Sequence, residues 1–93
     1  MKKILISGCV GFVGFSLASR LLKKKNIIYG IDSIDNYYSK KLKYKRLEIL
    51  KKNKNFYFYK LDIKNKYLFK KKINNIKFDY IFHFAAQAGV RYS

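Results

Sequence analysis

The chain has 93 residues, enough for one small domain, and its 49% hydrophobic content is that of a globular protein, which excludes an intrinsically disordered chain. Its net charge of +17 suits a polyanion-binding protein, but only three of the 22 cations are arginine, and A/T-rich codons explain the shared excess of lysine, asparagine, isoleucine and tyrosine better than a nucleic-acid site does. The single cysteine, Cys9, excludes an internal disulfide and a cysteine zinc cluster, and no apolar run is long enough to cross a bilayer.

Seven segments with alternating strand and helix patterns follow one another along the chain. Strands are predicted over residues 2–8, 26–32, 55–63 and 78–86, which are short apolar, β-branched or aromatic runs. A first helix is predicted from Phe12 to about Lys25, and two more over residues 36–53 and 65–76. Their predicted apolar positions include Val13, Leu17, Leu21 and Leu22 in the first helix, and Leu42, Leu47, Ile49 and Leu50 in the second. The lysines are expected on solvent-exposed faces.

The order β-α-β-α-β-α-β predicts an α/β fold with a parallel sheet covered by helices on both faces. We expect four strands in the order 3-2-1-4, with the fourth strand as an exposed apolar edge. The apolar N-terminus has a basic start, but glycines interrupt it and no small-x-small cleavage site follows. A cytoplasmic protein is therefore expected, with no membrane partner.

Three glycines at regular spacing separate the first strand from the first helix. In "SGCVGFVG", Gly8 permits a sharp turn, Gly11 lets the backbone approach a ligand closely, and Gly14 lets the helix pack against the strand. The helix N-terminus behind them carries unpaired N–H groups, which suit a pyrophosphate. The spacing is G-x-x-G-x-x-G, not the G-x-G-x-x-G of many dehydrogenases.

An acidic residue at the end of the second strand strengthens this interpretation. Asp32 follows Gly14 by 18 residues, close to the distance at which a ribose-binding acid is expected. A carboxylate there repels a 2′-phosphate, so NAD is favoured over NADP. Together these features predict a partial Rossmann fold that binds NAD. The alternative is that the glycines only tighten a turn and Asp32 only caps a loop.

Two more stretches follow the ends of strands, where ligands bind in such folds. Asp62 could accept a hydrogen bond from the adenine amino group and Ile63 could pack on the ring, or Asp62 could simply cap the third helix. After the fourth strand, Ala85, Ala86 and Gly89 leave backbone exposed.

The segments "ISGCVGFVG", "GIDSIDNYY", "LDI" and above all "HFAAQAGVRYS" resemble the extended short-chain dehydrogenase/reductase family, in its NAD-dependent epimerase/dehydratase branch and its UDP-glucuronate 4-epimerase type. The resemblance extends from Met1 to Ser93. It implies that Phe12 and Val13 cover the pyrophosphate, that Asp32 binds the adenosine ribose, and that Asp62 and Ile63 flank adenine. It further implies that Ala85, Ala86 and Ala88 line the nicotinamide side and that Arg91 binds a substrate anion.

The chemistry implied by the resemblance is hydride removal from C4 of a UDP-sugar, and its return on the other face, by a Tyr-x-x-x-Lys pair with a Ser or Thr. Two strings match, Tyr37 with Lys41 and Tyr67 with Lys71, but about two such matches are expected by chance among so many tyrosines and lysines. Both also precede the fourth strand, whereas the family's pair follows a fifth. No catalytic residue is therefore assigned. His83, the only histidine, is expected to be packed or bonded within the fold.

We therefore expect residues 1–93 to be the N-terminal part of an NAD-binding Rossmann domain that lacks the catalytic and substrate-binding parts. The expected function is the NAD-binding segment of a UDP-glucuronate 4-epimerase, inactive alone, which meets a UDP-sugar only if the missing half is supplied, for example by a second chain. The alternative is a non-catalytic nucleotide-binding module whose basic surface takes a protein or nucleic-acid partner. No specific nucleic-acid partner is expected.

Overall fold

The chain forms a parallel sheet with helices on both faces. A computed structural model describes residues 1–34, 40–62, 64–73 and 75–84. In chain order, the elements are β1 (Lys3–Ser7), α1 (Phe12–Lys23), β2 (Ile27–Asp32), α2 (Lys40–Lys51), β3 (Phe56–Lys60), α3 (Lys66–Ile73) and β4 (Tyr80–His83).

The sheet has the order β3-β2-β1-β4, and all its pairings are parallel, as predicted. The central strand β1 pairs with β2 from Lys3↔Ile27 to Ser7↔Ile31, and with β4 from Ile4↔Tyr80 to Ser7↔His83. Because the strands are parallel, their carboxyl ends meet at one edge of the sheet. Asp32 ends β2 at this edge, where it lies opposite Lys60 of β3.

Alternate residues of each strand supply two separate cores. One core lies under α1 and α2, and it is built around Ile4, Ile6, Ile28, Phe56, Ala18, Leu22, Leu47 and Leu50. The other lies under α3, and it is built around Leu5, Ile31, Leu61 and Ile73, with Tyr29 and Phe69 partly buried against it. Tyr29 also stacks on its β3 neighbour Tyr57, with ring centroids 5.1 Å apart. This division follows from the period of two in a strand.

The strands and helices are mostly a few residues shorter than predicted. The predicted start of the second helix, at residues 36–39, lies outside the described residues. The third helix begins at Lys66, and the side chain of Asn65 caps it by accepting the N–H of Leu68 at 3.1 Å. None of the described helices is both long and apolar enough to span a bilayer.

Three apolar residues of the predicted helices are exposed, and the expectation that the lysines face solvent is wrong for Lys43. Val13, Leu42 and Ile49 are 46–55% exposed, whereas Lys43 is buried in the inward-facing stripe of α2 with Leu47 and Leu50. In α1 the buried stripe is Gly14, Ala18 and Leu22, so two of the three inward-facing residues are small. Val13 therefore projects from the first turn into solvent.

The edge strand β4 carries exposed apolar side chains, as predicted. Within the described part of the chain, β4 pairs with β1 alone, so its second edge has no strand beside it. Tyr80 is 53% exposed and Ile81 is 64% exposed.

Candidate dinucleotide site

The β1–α1 loop is hydrogen-bonded to the backbone of β2. Gly8 has φ of 73°, in the left-handed region that favours glycine. Its N–H donates to the carbonyl of Ile31 at 2.7 Å, and the N–H of Cys9 donates to the same oxygen at 3.2 Å. The carbonyl of Gly8 accepts the N–H of Gly11 at 3.0 Å, which closes the turn.

Gly14 packs directly against this turn. A Cβ on Gly14 would lie 2.1 Å from the carbonyl oxygen of Gly8, so no other residue fits there without a shift of the backbone. A Cβ on Gly11 would lie 3.3 Å from the same oxygen, a tight but less severe approach. The predicted packing role of Gly14 is therefore visible in the geometry.

The N-terminus of α1 has no cap from a side chain. Its N-cap residue is Gly11, no acidic side chain lies in its first turn, and the first helical hydrogen bond runs from the N–H of Phe15 to the carbonyl of Gly11. The N–H groups of the first turn therefore have no acceptor within the helix. Phe12 is 78% exposed and Val13 is 55% exposed, so this end of the helix faces solvent. Such an end attracts an anion.

The carboxylate of Asp32 lies beside this loop, although only 5% of the residue is exposed. Its Oδ2 accepts the N–H of Val10 at 3.2 Å, and its Oδ1 accepts the N–H of Ile34 at 2.8 Å. Asp32 therefore ties the β1–α1 loop to the end of β2. A carboxylate offers about four acceptor positions, so capacity remains for a hydroxyl donor.

Two cations of α2 join this network, and the sequence patterns did not identify either of them. The Nζ of Lys43 lies 3.5 Å from Oδ1 of Asp32. The Nη1 of Arg46 donates to the carbonyl of Val10 at 3.0 Å. One sequence signal could have identified Lys43 as inward-facing. It lies four residues before Leu47 and seven before Leu50, so the three residues share one side of an amphipathic helix.

Asp62 follows β3 at the same edge of the sheet, and its carboxylate is exposed. Its Oδ1 accepts the N–H of Lys64 at 2.9 Å, which forms a local turn. The alternative that Asp62 caps the third helix is wrong, because Asn65 is the cap. Ile63 lies outside the described residues.

Ser7 and His83, the final residues of β1 and β4, are joined side by side. Oγ of Ser7 lies 2.6 Å from Nδ1 of His83, and it also accepts the N–H of Phe84 at 3.1 Å. His83 is therefore bonded within the fold, as expected. The residues predicted beyond this point, Ala85, Ala86, Ala88, Gly89 and Arg91, lie outside the described residues.

The described Tyr-x-x-x-Lys string forms a surface pair on α3. Tyr67 is 71% exposed, and the Nζ of Lys71 lies 5.9 Å from the centre of its ring. The amine therefore sits near the aromatic ring on an exposed helix, which is a cation–π contact. Tyr37 of the other string lies outside the described residues.

Cys9 is fully buried behind the glycine loop. Burial raises the pKa of its thiol far above the ordinary value, and the nearby charge of Asp32 raises it further. The thiol is therefore neutral and a poor nucleophile. Its Sγ would lie 2.6 Å from a Cβ placed on Gly30, so the two residues pack as a matched pair. Among the residues described, no group of three His, Cys, Asp or Glu side chains could hold a metal ion.

Comparison with known proteins places this geometry in a family. Residues 5–93 match the family described as GDP-mannose 4,6 dehydratase. The UDP-glucuronate 4-epimerase of Thermodesulfobacterium geofontis is 39% identical over 93 residues, which are 100% of this chain and 29% of that protein.

Solved structures show the same fold. The crystal structure of UDP-glucuronic acid 4-epimerase from Bacillus cereus, in complex with UDP-glucuronic acid and NAD, is 37% identical with a TM-score of 0.79, over 96% of this chain and 28% of that one. dTDP-glucose 4,6-dehydratase from Bacillus anthracis, in complex with NAD, shares the fold with a TM-score of 0.78 at 24% identity, over 94% of this chain and 27% of that one. The chain thus spans less than a third of the length of these proteins. Because the family match extends over nearly all 93 residues and the sheet is that of a Rossmann fold, the chain belongs to the GDP-mannose 4,6 dehydratase family of NAD-dependent epimerases and dehydratases.

Proposed function

We propose that this chain is the NAD-binding N-terminal segment of a UDP-sugar 4-epimerase, that the sugar nucleotide is UDP-glucuronate, and that the 93 residues have no epimerase activity alone. The single observation that carries the proposal is the uncapped N-terminus of α1 beside the buried carboxylate of Asp32. The relatives named above support the sugar nucleotide, since both the sequence relative and the crystallised one are UDP-glucuronate 4-epimerases.

The described residues fit the adenosine diphosphate half of NAD. The first-turn N–H groups of Phe12 and Val13 suit the pyrophosphate, and Gly11 leaves no side chain between them and the phosphates. Asp32 retains acceptor capacity for the ribose hydroxyls. Asp62 keeps an exposed carboxylate at the adjacent strand end for the adenine amino group.

The chain's own residues bind and orient the cofactor in this proposal. When bound, NAD supplies hydride acceptance and donation. Phe12 and Val13 cover the pyrophosphate, while Ile63 flanks adenine. Ala85, Ala86 and Ala88 line the nicotinamide side, and Arg91 meets an anion of the sugar nucleotide. A proton-transfer pair comes from the remaining part of the enzyme, on the same chain or a second one.

Calorimetric titration of the purified chain with NAD and ADP-ribose tests the binding proposal. We expect weak binding of both ligands with similar affinity, because the adenosine half makes the contacts. Asp32→Ala should weaken NAD binding about tenfold or more, since it removes a charged acceptor.

Asp79→Ala is the matched control. Asp79 is also a carboxylate that accepts a backbone N–H, from Lys3 at 2.9 Å, but it lies just before β4, at the opposite edge of the sheet from Asp32. Its removal changes the net charge equally and should leave NAD affinity as it is. Equal NAD affinity for Asp32→Ala and the original chain contradicts the ribose assignment.

An epimerase assay with UDP-glucuronate and added NAD tests the claim of inactivity. We expect no turnover above a boiled sample, because neither Tyr67 with Lys71 nor Tyr37 with Lys41 is the family's proton-transfer pair. Turnover that Tyr37→Phe or Tyr67→Phe abolishes contradicts the proposal.

A further inference from the structure

We propose that Lys43 sets how strongly the ribose site rejects a 2′-phosphorylated dinucleotide, because its ammonium group cancels most of the charge of Asp32. The inference rests on the proposed NAD site. Lys43 would then determine specificity from α2, outside the glycine loop between β1 and α1.

The side chain of Lys43 is largely buried and reaches Asp32. Its stem lies on the inward-facing stripe of α2 with Leu47 and Leu50, and only 11% of the side chain is exposed. The Nζ reaches 3.5 Å from Oδ1 of Asp32, which is itself 5% exposed. Both charges are therefore largely removed from water, and salt screens such buried charges only weakly.

Acidic side chains are scarce in this chain. The chain has 22 cations and five acidic residues, and Lys43 is paired with one of these acids, Asp32. Lys40 and Lys41, which come first in α2, are exposed, so solvent screens their charges. Lys43 is therefore the lysine whose charge acts on the carboxylate at close range.

A hydroxyl and a phosphate respond differently to the pair of Lys43 with Asp32. A ribose 2′-hydroxyl needs an acceptor lone pair, which Asp32 offers with or without a paired cation. A 2′-phosphate responds to the net charge nearby. Within about 5 Å of an uncompensated carboxylate it loses on the order of 100-fold in affinity at an effective dielectric of about 20. Cancellation by Lys43, added to the N–H groups of Val10 and Ile34, reduces that loss.

The test is the ratio of the dissociation constants for NADP and NAD, measured by titration of the 93-residue chain and its variants. In the original chain we expect NADP to bind less than about tenfold more weakly than NAD. In Lys43→Met this ratio should rise at least about tenfold, mainly through weaker NADP binding. Lys43→Arg, which keeps the charge, should restore a ratio near the original.

Lys45→Met is the matched control. Lys45 lies two residues further along α2 and is exposed, so its loss removes the same charge without touching Asp32. The ratio should remain that of the original chain. An unchanged ratio in Lys43→Met, or an equal loss of NAD and NADP affinity, overturns the inference and indicates a purely structural lysine.

The ratio in the original chain provides a measurement that does not depend on any variant folding. A ratio of about 100 or more, the loss expected beside an uncompensated carboxylate, overturns the inference. If neither dinucleotide binds the original chain, the proposed function itself fails. If NAD binds but the ratio of the NADP and NAD dissociation constants differs from these expectations, the inference alone fails.

Discussion

Arg46 and Val10, which are 36 positions apart, are joined by a hydrogen bond of 3.0 Å from the guanidinium to the backbone carbonyl. The N–H of the same Val10 donates to Asp32. Both polar groups of this one residue are therefore held by side chains from elsewhere in the fold. The guanidinium also lies 5.8 Å from the centre of the Phe15 ring, so Arg46 holds the glycine loop and the start of α1 together.

We expect Arg46→Met to lower the free energy of unfolding by about 1.5–3 kcal/mol, because it removes a charge-assisted hydrogen bond to a part-buried carbonyl. Arg46→Lys should recover only part of this loss, since an ammonium lacks the planar fork and the stacking surface. Urea denaturation measures both. Arg20→Met, which removes an exposed arginine of α1, is the control and should change stability by less than about 0.5 kcal/mol. Equal stability of the two methionine variants contradicts the prediction.

Gly14→Ala should destabilise the fold by about 1–3 kcal/mol, although alanine is the better helix former by about 1 kcal/mol. Its Cβ would lie 2.1 Å from the carbonyl of Gly8, so α1 must move away from β1. Gly11→Ala is the comparison, because its Cβ contact is 3.3 Å and its φ of −74° suits alanine. We expect it to lose less than about 1 kcal/mol in the same urea experiment. The reverse order of stability shows that the close approach of α1 is not tight.

Cys9 should make the fold less stable in alkali. The unfolded thiol loses its proton above its ordinary pKa of about 9, whereas burial raises the pKa in the folded state and keeps the proton on. The unfolded state then binds fewer protons, so the free energy of unfolding falls by about 1.4 kcal/mol for each pH unit above 9. Below pH 9 the thiol keeps its proton in both states, so Cys9 does not lower the free energy of unfolding there.

The measurement is the difference between the original chain and Cys9→Ala in urea denaturation from pH 7 to 10.5. Tyrosine and lysine titrations affect both proteins and cancel in the difference. We expect the difference to be constant to about pH 9 and then to shift against the original chain. A difference that stays constant to pH 10.5 shows that the thiol titrates normally.

The exposed edge of β4 should cause self-association at high concentration despite the net charge. Ile81 is 64% exposed on the edge strand, and an unpaired apolar strand edge is a template for another strand. Ile81→Lys should therefore lower the sedimentation-average mass. Ile49→Lys replaces an equally large side chain that is 51% exposed on α2, away from any strand edge, and should leave the association as it was. A monomeric original chain contradicts the prediction.

The strand order was predictable because alternating strand and helix patterns in a chain with a glycine turn permit few right-handed arrangements. Element ends were less predictable, since they depend on local hydrogen bonds. Asn65 caps α3 where Asp62 was one candidate, and both are residues that favour caps and turns.

Within the site, the glycines and Asp32 were predictable because turn geometry and a strand end leave a sequence signature. Lys43 was not, because the burial of a lysine depends on a carboxylate 11 residues away in sequence that only the fold brings near. The exposure of Val13 also depends on the fold. Hydropathy assigns a valine to the core, whereas α1 turns Gly14, Ala18 and Leu22 inward and leaves Val13 55% exposed.

The central position of β1 has a consequence for how the chain folds. The side chain of Asp79 holds the N–H of Lys3, and the two ends of the β1–β4 pairing are each 76 residues apart along the chain. Such long-range pairing is slow to form, because the entropy of closing a large loop is lost before the stabilising contacts between the strands are made. During synthesis, one side of β1 therefore has no partner strand until nearly all of the following 75 or so residues have been made. A chaperone that shields an apolar strand should raise the yield of native protein more than a lower growth temperature does, since cooling also weakens the hydrophobic contacts that close the sheet.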